Sequence, residues 1–247
     1  MILASTAVVP RIHLTRRATL LSIPSTIASV LAYPAAAAQQ QPSPYDTYAP
    51  TYDALDGGAA ASALGFPDLR ATLLRQARGD ILEVGVGTGL NLPLYDWPAV
   101  ITITGADLSA GMLQEAEAKV PSLPRPEAVF LRAADVTSLP FKDNTFDCVV
   151  DTFSMCVFSA PSAALAEMAR VLKPGGRVLL LEHSRSRSPL LGWYQDVTAS
   201  AVAATGKGCF WNQRVVELVQ ATPGLVLEGA TEHLGGLLTS VVAVKAV

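Results

Sequence analysis

From position 45 onward the apolar residues fall into two kinds of segment. Short runs rich in Val, Ile, Leu and Ala at 80–86, 100–106, 128–133, 146–153, 177–183, 225–231 and 238–244 predict strands. Between them, apolar positions recur every three or four residues at 109–120, 162–172 and 211–221, which predicts helices. Strands alternating with helices predict an α/β fold: a mostly parallel, doubly wound sheet covered on both faces, with right-handed crossovers. Ligands of such sheets bind beyond the carboxyl ends of the strands, where the strand order reverses. No internal repeat interrupts the pattern, so residues 45–247 read as one domain.

Composition changes the picture mainly at the N-terminus. Half of the 247 residues are hydrophobic and 16% are charged, which excludes a disordered chain. With 18 Lys and Arg against 21 Asp and Glu, the net charge of -3 argues against a general nucleic-acid binder. The charges are unevenly placed. No acid precedes Asp46, and the basic residues there are Arg11, Arg16 and Arg17. An uncharged stretch follows from Ala18 to Ala38 and ends in four alanines; a Gln/Pro/Ser linker comes next. Residues 1–44 thus read as an organelle-targeting leader with a linker. Paired arginines before an apolar segment and an A-x-A site resemble a twin-arginine signal, and the whole resembles a leader for a chloroplast thylakoid. A mitochondrial presequence and a retained membrane anchor are the alternatives, though Pro24 and Pro34 make a poor lipid-facing helix.

The chemistry-bearing residues sit at the strand ends. Glu83-Val84-Gly85-Val86-Gly87-Thr88-Gly89 is a strand running into a glycine turn. Its G-x-G-x-G spacing is not the dinucleotide fingerprint, and no Lys-Ser/Thr follows to make a P-loop. Asp107 ends the second strand, where a carboxylate can accept hydrogen bonds from both hydroxyls of a ribose. Ser109 is a candidate N-cap for the next helix. Asp135 ends the third strand and can accept from an adenine amino group, while Leu172-Lys173-Pro174-Gly175-Gly176 reads as a helix end with a glycine C-cap.

The ordered set E-V-G-V-G-T-G, G-A-D-L-S, A-A-D-V-x-x-L-P-F-x-D-N-T-F-D and L-K-P-G-G resembles the class I S-adenosylmethionine-dependent methyltransferases. That resemblance implies a Rossmann-like sheet of seven strands with the last antiparallel, and S-adenosyl-L-methionine as cofactor. It implies that Gly85, Gly87 and Gly89 line the methionine moiety with Glu83 behind them. It places Asp107 at the ribose, Asp135 and Val136 at the adenine, and Thr152 and Phe153 facing the cofactor, with Leu108 a further cofactor-binding residue. The stretch from Tyr45 to Asp53 resembles the lid of ubiquinone/menaquinone C-methyltransferases, with Tyr52 as its functional aromatic. Glu182-His183, Trp193-x-Gln195-Asp196 and Gly208-Cys209-x-x-Asn212-x-Arg214 resemble a membrane-associated thiol S-methyltransferase-like group. Gln213 departs from that group's adjacent Asn-Arg, and Gly235-Gly236 before Leu237 resembles the quinone enzymes instead.

His183 closes the fifth strand and is the candidate catalytic base, since an imidazole titrates near neutrality. Cys209 reads as an acceptor-site residue or a buried small hydrophobe, Cys148 as a packed core residue, and Asp196 with Arg214 as an ion pair or two solvated charges. Three cysteines without a C-x-x-C argue against a disulfide framework or a zinc site, so no metal is expected. The segment 190–204 reads as a lid, a substrate wall or a membrane-facing patch. The functional expectation is methyl transfer to a small lipophilic acceptor, a thiol or a quinone- or phenol-like compound. The alternative is a catalytically silent cofactor-binding assembly protein at an organelle membrane.

Overall fold

A computed structural model describes residues 43–247; the leader expectations fall on residues 1–42, outside them. Seven strands form one sheet: β1 (Gly79–Val84), β2 (Val100–Asp107), β3 (Val129–Ala133), β4 (Phe146–Thr152), β5 (Leu172–His183), β6 (Leu225–His233) and β7 (Leu238–Lys245). Their order in space is β3-β2-β1-β4-β5-β7-β6. Strands β1 to β5 pair in parallel, and β7 runs antiparallel to both β5 and β6. The chain moves outward through β2 and β3, then returns to the other side of β1 at β4. The strand order therefore reverses between β1 and β4, and their carboxyl ends open the crevice such a reversal creates.

Side chains alternate across each strand, so neighbours such as Ile81 and Leu82 enter different layers. Ile81, Ile103 and Leu179 pack with Leu74 of α3 (Phe66–Leu74) and Leu113 of α4 (Ala110–Lys119). Leu82, Phe146 and Leu180 pack with Leu165 and Met168 of α5 (Pro161–Val171) and Val219 of α7 (Val215–Ala221). Each such side chain, fully removed from water, stabilises the sheet by about 1.5–3 kcal/mol. Cys148 is buried in the first layer, as a core residue should be.

Three local readings are corrected. Helix α5 does not end on a glycine: its cap is Leu172, extended at φ -75° and ψ 138°. Leu172 is fully buried and pairs with Phe146, so core packing draws the chain straight into β5, and Gly175 (φ +75°) turns within that strand's first residues. Helix α7 starts at Val215, not 211. The carbonyls of Trp211 and Gln213 instead accept from Gln195 and from the Arg185 backbone, so that backbone is committed to tertiary partners. Asp196 pairs with Arg185 at 2.8 Å, while Arg214 lies 4.0 Å from Glu217.

Among the described residues, four helices escaped the periodicity: α1 (Pro44–Asp56), α2 (Ala59–Ala63), α3 and α6 (Pro189–Thr205). α1 is started by a capping box in which Ser43 and Asp46 satisfy each other's backbone N–H. It therefore already includes Pro44, assigned above to the linker. α6 follows β5. Among the described residues no helix is long and apolar enough to cross a membrane.

Candidate functional site

The glycine turn leaves β1 with Gly85, Gly87 and Gly89 all at positive φ, between 55° and 78°. L side chains rarely adopt that region. Gly85 also lies against the loop after β4: a Cβ there would stand 2.3 Å from Ser154 Oγ. At Gly87 a Cβ would meet only the Gly85 carbonyl, at 3.9 Å, so the space above it is open. Gly89 behaves differently. A Cβ there would fall 2.8 Å from Leu92 and 3.3 Å from Ala116, so this glycine serves helix packing and does not line the crevice as expected.

Asp107 holds this turn against the next one. The Gly87 N–H donates to one carboxylate oxygen and the Ser109 N–H to the other, both at 2.8 Å. Burial raises the Asp107 pKa, against the lowering effect of those N–H groups. Ser109 caps α4 as expected, accepting from Met112 N–H. Its hydroxyl and the Gly111 N–H both donate to Asp46, which ties α1 to the start of α4 and holds the Asp46 carboxyl below its ordinary value. Asp135 accepts from the backbone and hydroxyl of Thr137.

Glu83 is buried behind the turn, not on the crevice wall. Asn91 and Tyr95 each donate to one of its oxygens, at 2.9 and 2.7 Å. Arg70 donates to Asn91 and Thr152, closing a network of five side chains beneath the glycines. Burial pushes the Glu83 carboxyl up to about 7, opposed by the Tyr95 and Asn91 hydrogen bonds and the nearby Arg70. Arg70, Asn91 and Tyr95 carry no motif spacing, so only the folded chain connects them to Glu83.

Above these residues lies a cavity of about 400 Å³, within the range of small-molecule sites. Tyr52, Gly85, Gly87, Asp107, Leu108, Asp135, Val136, Thr152 and Phe153 line it, nine of the twelve residues singled out from sequence. Val157 and Phe158 add an apolar wall beyond Phe153. Helix α1 covers one side. The Tyr45 hydroxyl donates to the Lys207 carbonyl at 3.0 Å, and the Lys207 ammonium lies 5.1 and 4.9 Å from the Tyr48 and Tyr52 ring centres. Cation–π contact and a long-range hydrogen bond thus join α1 to the loop after α6.

The β4–β5 side is built on a strained residue. Phe153 has φ +60°, stacks on Phe66 at 5.0 Å, and carries the Arg70 guanidinium over its ring at 4.6 Å. His183 meets its edge at 5.4 Å and is not on the cavity wall, so the cleft-facing base expected at this position stands one layer back. Cys209, half-buried, approaches the His183 Nδ1 at 3.7 Å. Asp151 and Glu182, both fully buried, form a second acid cluster that sequence reasoning did not identify. Ser154 hydrogen-bonds Asp151, and the N–H groups of Ser154 and Met155 donate to Glu182. Burial, then the neighbouring Asp151, holds Glu182 well above the usual carboxylate range, and burial raises Asp151 to about 7.

A protein family described as a methyltransferase domain matches residues 82–180. Phosphatidylethanolamine N-methyltransferase of Cereibacter sphaeroides is 37% identical over 159 residues, covering 59% of this chain and 73% of that one. Demethylmenaquinone methyltransferase of Lactiplantibacillus plantarum is 32% identical, covering 61% and 67%. The mitochondrial methyltransferase OMS1 of Saccharomyces cerevisiae is 29% identical; the match covers 67% of this chain and only 38% of the yeast protein. Among solved structures, one from the Haloferax volcanii complex of the Trm112 methyltransferase activator with a methyltransferase superposes with a TM-score of 0.65 at 18% identity, over 84% of this chain and 100% of that one. Geranyl diphosphate methyltransferase in complex with S-adenosylmethionine gives 0.61 at 16% identity, over 80% and 91%. These two show the fold. The seven-stranded sheet, the glycine turn at its switch point and the matched domain agree: the chain belongs to the class I S-adenosylmethionine-dependent methyltransferases, enzymes that use S-adenosyl-L-methionine as cofactor.

Proposed function

We propose that this methyltransferase acts on a small lipophilic acceptor, a thiol or a quinone- or phenol-like compound. The observation that carries this reading is a continuous cavity that runs from the glycine turn to an apolar wall of Phe153, Val157 and Phe158, roofed by Tyr45 and Tyr52. In this reading Gly85 and Gly87 admit the methionine part of the cofactor against bare backbone. Asp107 takes the ribose hydroxyls on the lone pairs its two N–H donors leave, and Leu108, Asp135 and Val136 flank the adenine. Glu83 fixes the turn from behind through Asn91 and Tyr95. The bound cofactor supplies a methyl group made electrophilic by its sulfonium. The chain's own contribution is to align the acceptor and exclude water, and proximity of that kind supplies much of a bimolecular rate.

Two further features fit an acceptor met at a membrane in an organelle. Leu190, Trp193, Tyr194 and Val197, all exposed, follow the spacing of one helical face on α6. The acid-free leader suits delivery to a chloroplast, in thylakoid association, with the mitochondrion as alternative, a location named for the yeast relative. Labelled-methyl transfer to a panel of thiols and prenyl quinols tests the acceptor. Transfer to a polar acceptor alone would overturn the lipophilic reading. Mass spectrometry of the mature N-terminus tests the leader: a start near Gln39 means cleavage after the alanine run.

A further inference from the structure

Three donor side chains from three separate segments meet beside the cavity. Cys156 lies in the short turn after β4, His183 ends β5, and Cys209 follows α6. Their ligand atoms, two Sγ and one imidazole nitrogen, all lie within 4.8 Å of one another, a grouping of metal-binding type among the described residues. Cys156 is buried and the other two are half-buried. None is in a disulfide. Each is held by a neighbour that lines the cavity or touches its wall: Cys156 precedes Val157, Cys209 follows Gly208, and His183 packs on Phe153.

We propose that Cys156, His183 and Cys209 bind a zinc ion through Sγ, Nδ1 and Sγ. Zinc takes thiolate at about 2.3 Å and imidazole nitrogen at about 2.0–2.1 Å in tetrahedral array, which sets sulfur and nitrogen about 3.5 Å apart. The Cys209 Sγ to His183 Nδ1 separation of 3.7 Å meets that requirement without moving either backbone. Soft and borderline donors of this kind select zinc over magnesium or calcium. Three protein ligands rather than four leave one position for water or another donor, the pattern of catalytic rather than structural zinc. On binding, each thiol loses its proton to solvent and no electron is transferred. The site escapes sequence inspection because its ligands come from three segments with no C-x-x-C. It also gives His183 a role compatible with its place behind Phe153.

The proposal does not rest on the acceptor reading, and its test needs neither cofactor nor acceptor. The full protein, reduced and stripped with a chelator, is titrated with Zn²⁺ against a chromophoric competitor and separately with Co²⁺ by absorption spectroscopy. The expected result is one ion per chain, with a thiolate-to-cobalt charge-transfer band and the visible bands of tetrahedral Co²⁺. Cys156→Ser and Cys209→Ser should each weaken Zn²⁺ binding by about 100-fold or more. His183→Ala should keep the charge-transfer band but shift the visible ones. Cys209 is only half-buried, so its serine variant is the one expected to fold unchanged, with circular dichroism as the check. The proposal is overturned if the reduced wild type binds no stoichiometric ion, or if the Cys209→Ser variant binds as tightly as wild type. A Cys156–Cys209 disulfide that persists under the same reducing conditions overturns it equally.

Discussion

The two walls of the cavity are built on opposite principles. On the β1–β3 side, acids face donors: Asp107 holds two backbone N–H groups, and Glu83 holds Asn91 and Tyr95 with Arg70 close by. On the β4–β5 side, Asp151 and Glu182 lie buried together behind the Ser154 and Met155 donors, and the surface toward the cavity carries the apolar Phe153, Val157 and Phe158. The first wall presents fixed polar partners, as recognition of one unvarying polar ligand requires. The second presents shape and apolar contact around a strained Phe153, which suits an acceptor that differs between relatives.

The sharpest break of that contrast is made at the first wall. Replacing Gly85 with Ala forces a methyl group onto Ser154 in a backbone conformation disfavoured for any L residue. Asp107→Ala leaves the Gly87 and Ser109 N–H groups without their acceptor. Calorimetry with S-adenosylmethionine should show each weakening binding by about 100-fold or more, since a few kcal/mol of strain or lost polar contact act directly on the bound state. Wild-type affinity in Asp107→Ala would remove this carboxylate from the cofactor site.

The buried Glu83 makes the first wall sensitive to pH. Its folded value of about 7 stands above an ordinary 4.5, so its protonated form favours the folded state. Its contribution is complete below pH 4.5 and is lost as pH rises through 7, where the buried carboxylate costs about 3 kcal/mol, order of magnitude. Glu83→Gln retains a neutral partner for Asn91 and Tyr95. It should match wild type near pH 4.5 and exceed it in thermal unfolding at pH 8. An equal difference at both pH values would show that Glu83 does not titrate in the folded protein.

How far the sequence reached follows the same division. Strand positions and the acids at their ends were legible because each rests on a short run: an apolar stretch, then Gly or Asp at its carboxyl end. Asp107 and its Ser109 cap are two residues apart, so their geometry is nearly local. Gly89 was misassigned because G-x-G-x-G does not reveal which glycine meets a ligand and which meets Leu92. The Asp151–Glu182 pair and the Cys156–His183–Cys209 cluster come from chain segments brought together only by the pairing of β4 with β5 and by the loop after α6. No spacing rule spans such separations. Trp211 looked like a helix start until Gln195, from α6, claimed its carbonyl.

The roof should respond more gently. Tyr45→Phe removes one hydrogen bond to the Lys207 carbonyl while keeping the ring over the cavity. A net hydrogen bond is worth about 1 kcal/mol, so KM for cofactor or acceptor should rise about fivefold with the unfolding temperature little changed. A fall in kcat with unaltered KM would mean that the hydroxyl acts in the chemical step and not in closing α1.

The smallest effect belongs to α6. Trp193 is 59% exposed and shares its face with Leu190, Tyr194 and Val197, so Trp193→Ser removes apolar area that water already touches. Folding stability should change by less than about 0.5 kcal/mol. Sedimentation with liposomes should nevertheless show several-fold weaker association, because interfacial binding scales with the apolar area a helix inserts. Transfer to a water-soluble thiol should be unaffected, while transfer to a bilayer-dissolved acceptor should fall with binding. If both fall together, α6 shapes the apolar wall of the cavity instead of meeting lipid. If neither falls and liposome association is unchanged, the exposed face has another partner, and the contrast between the two walls ends at the cavity.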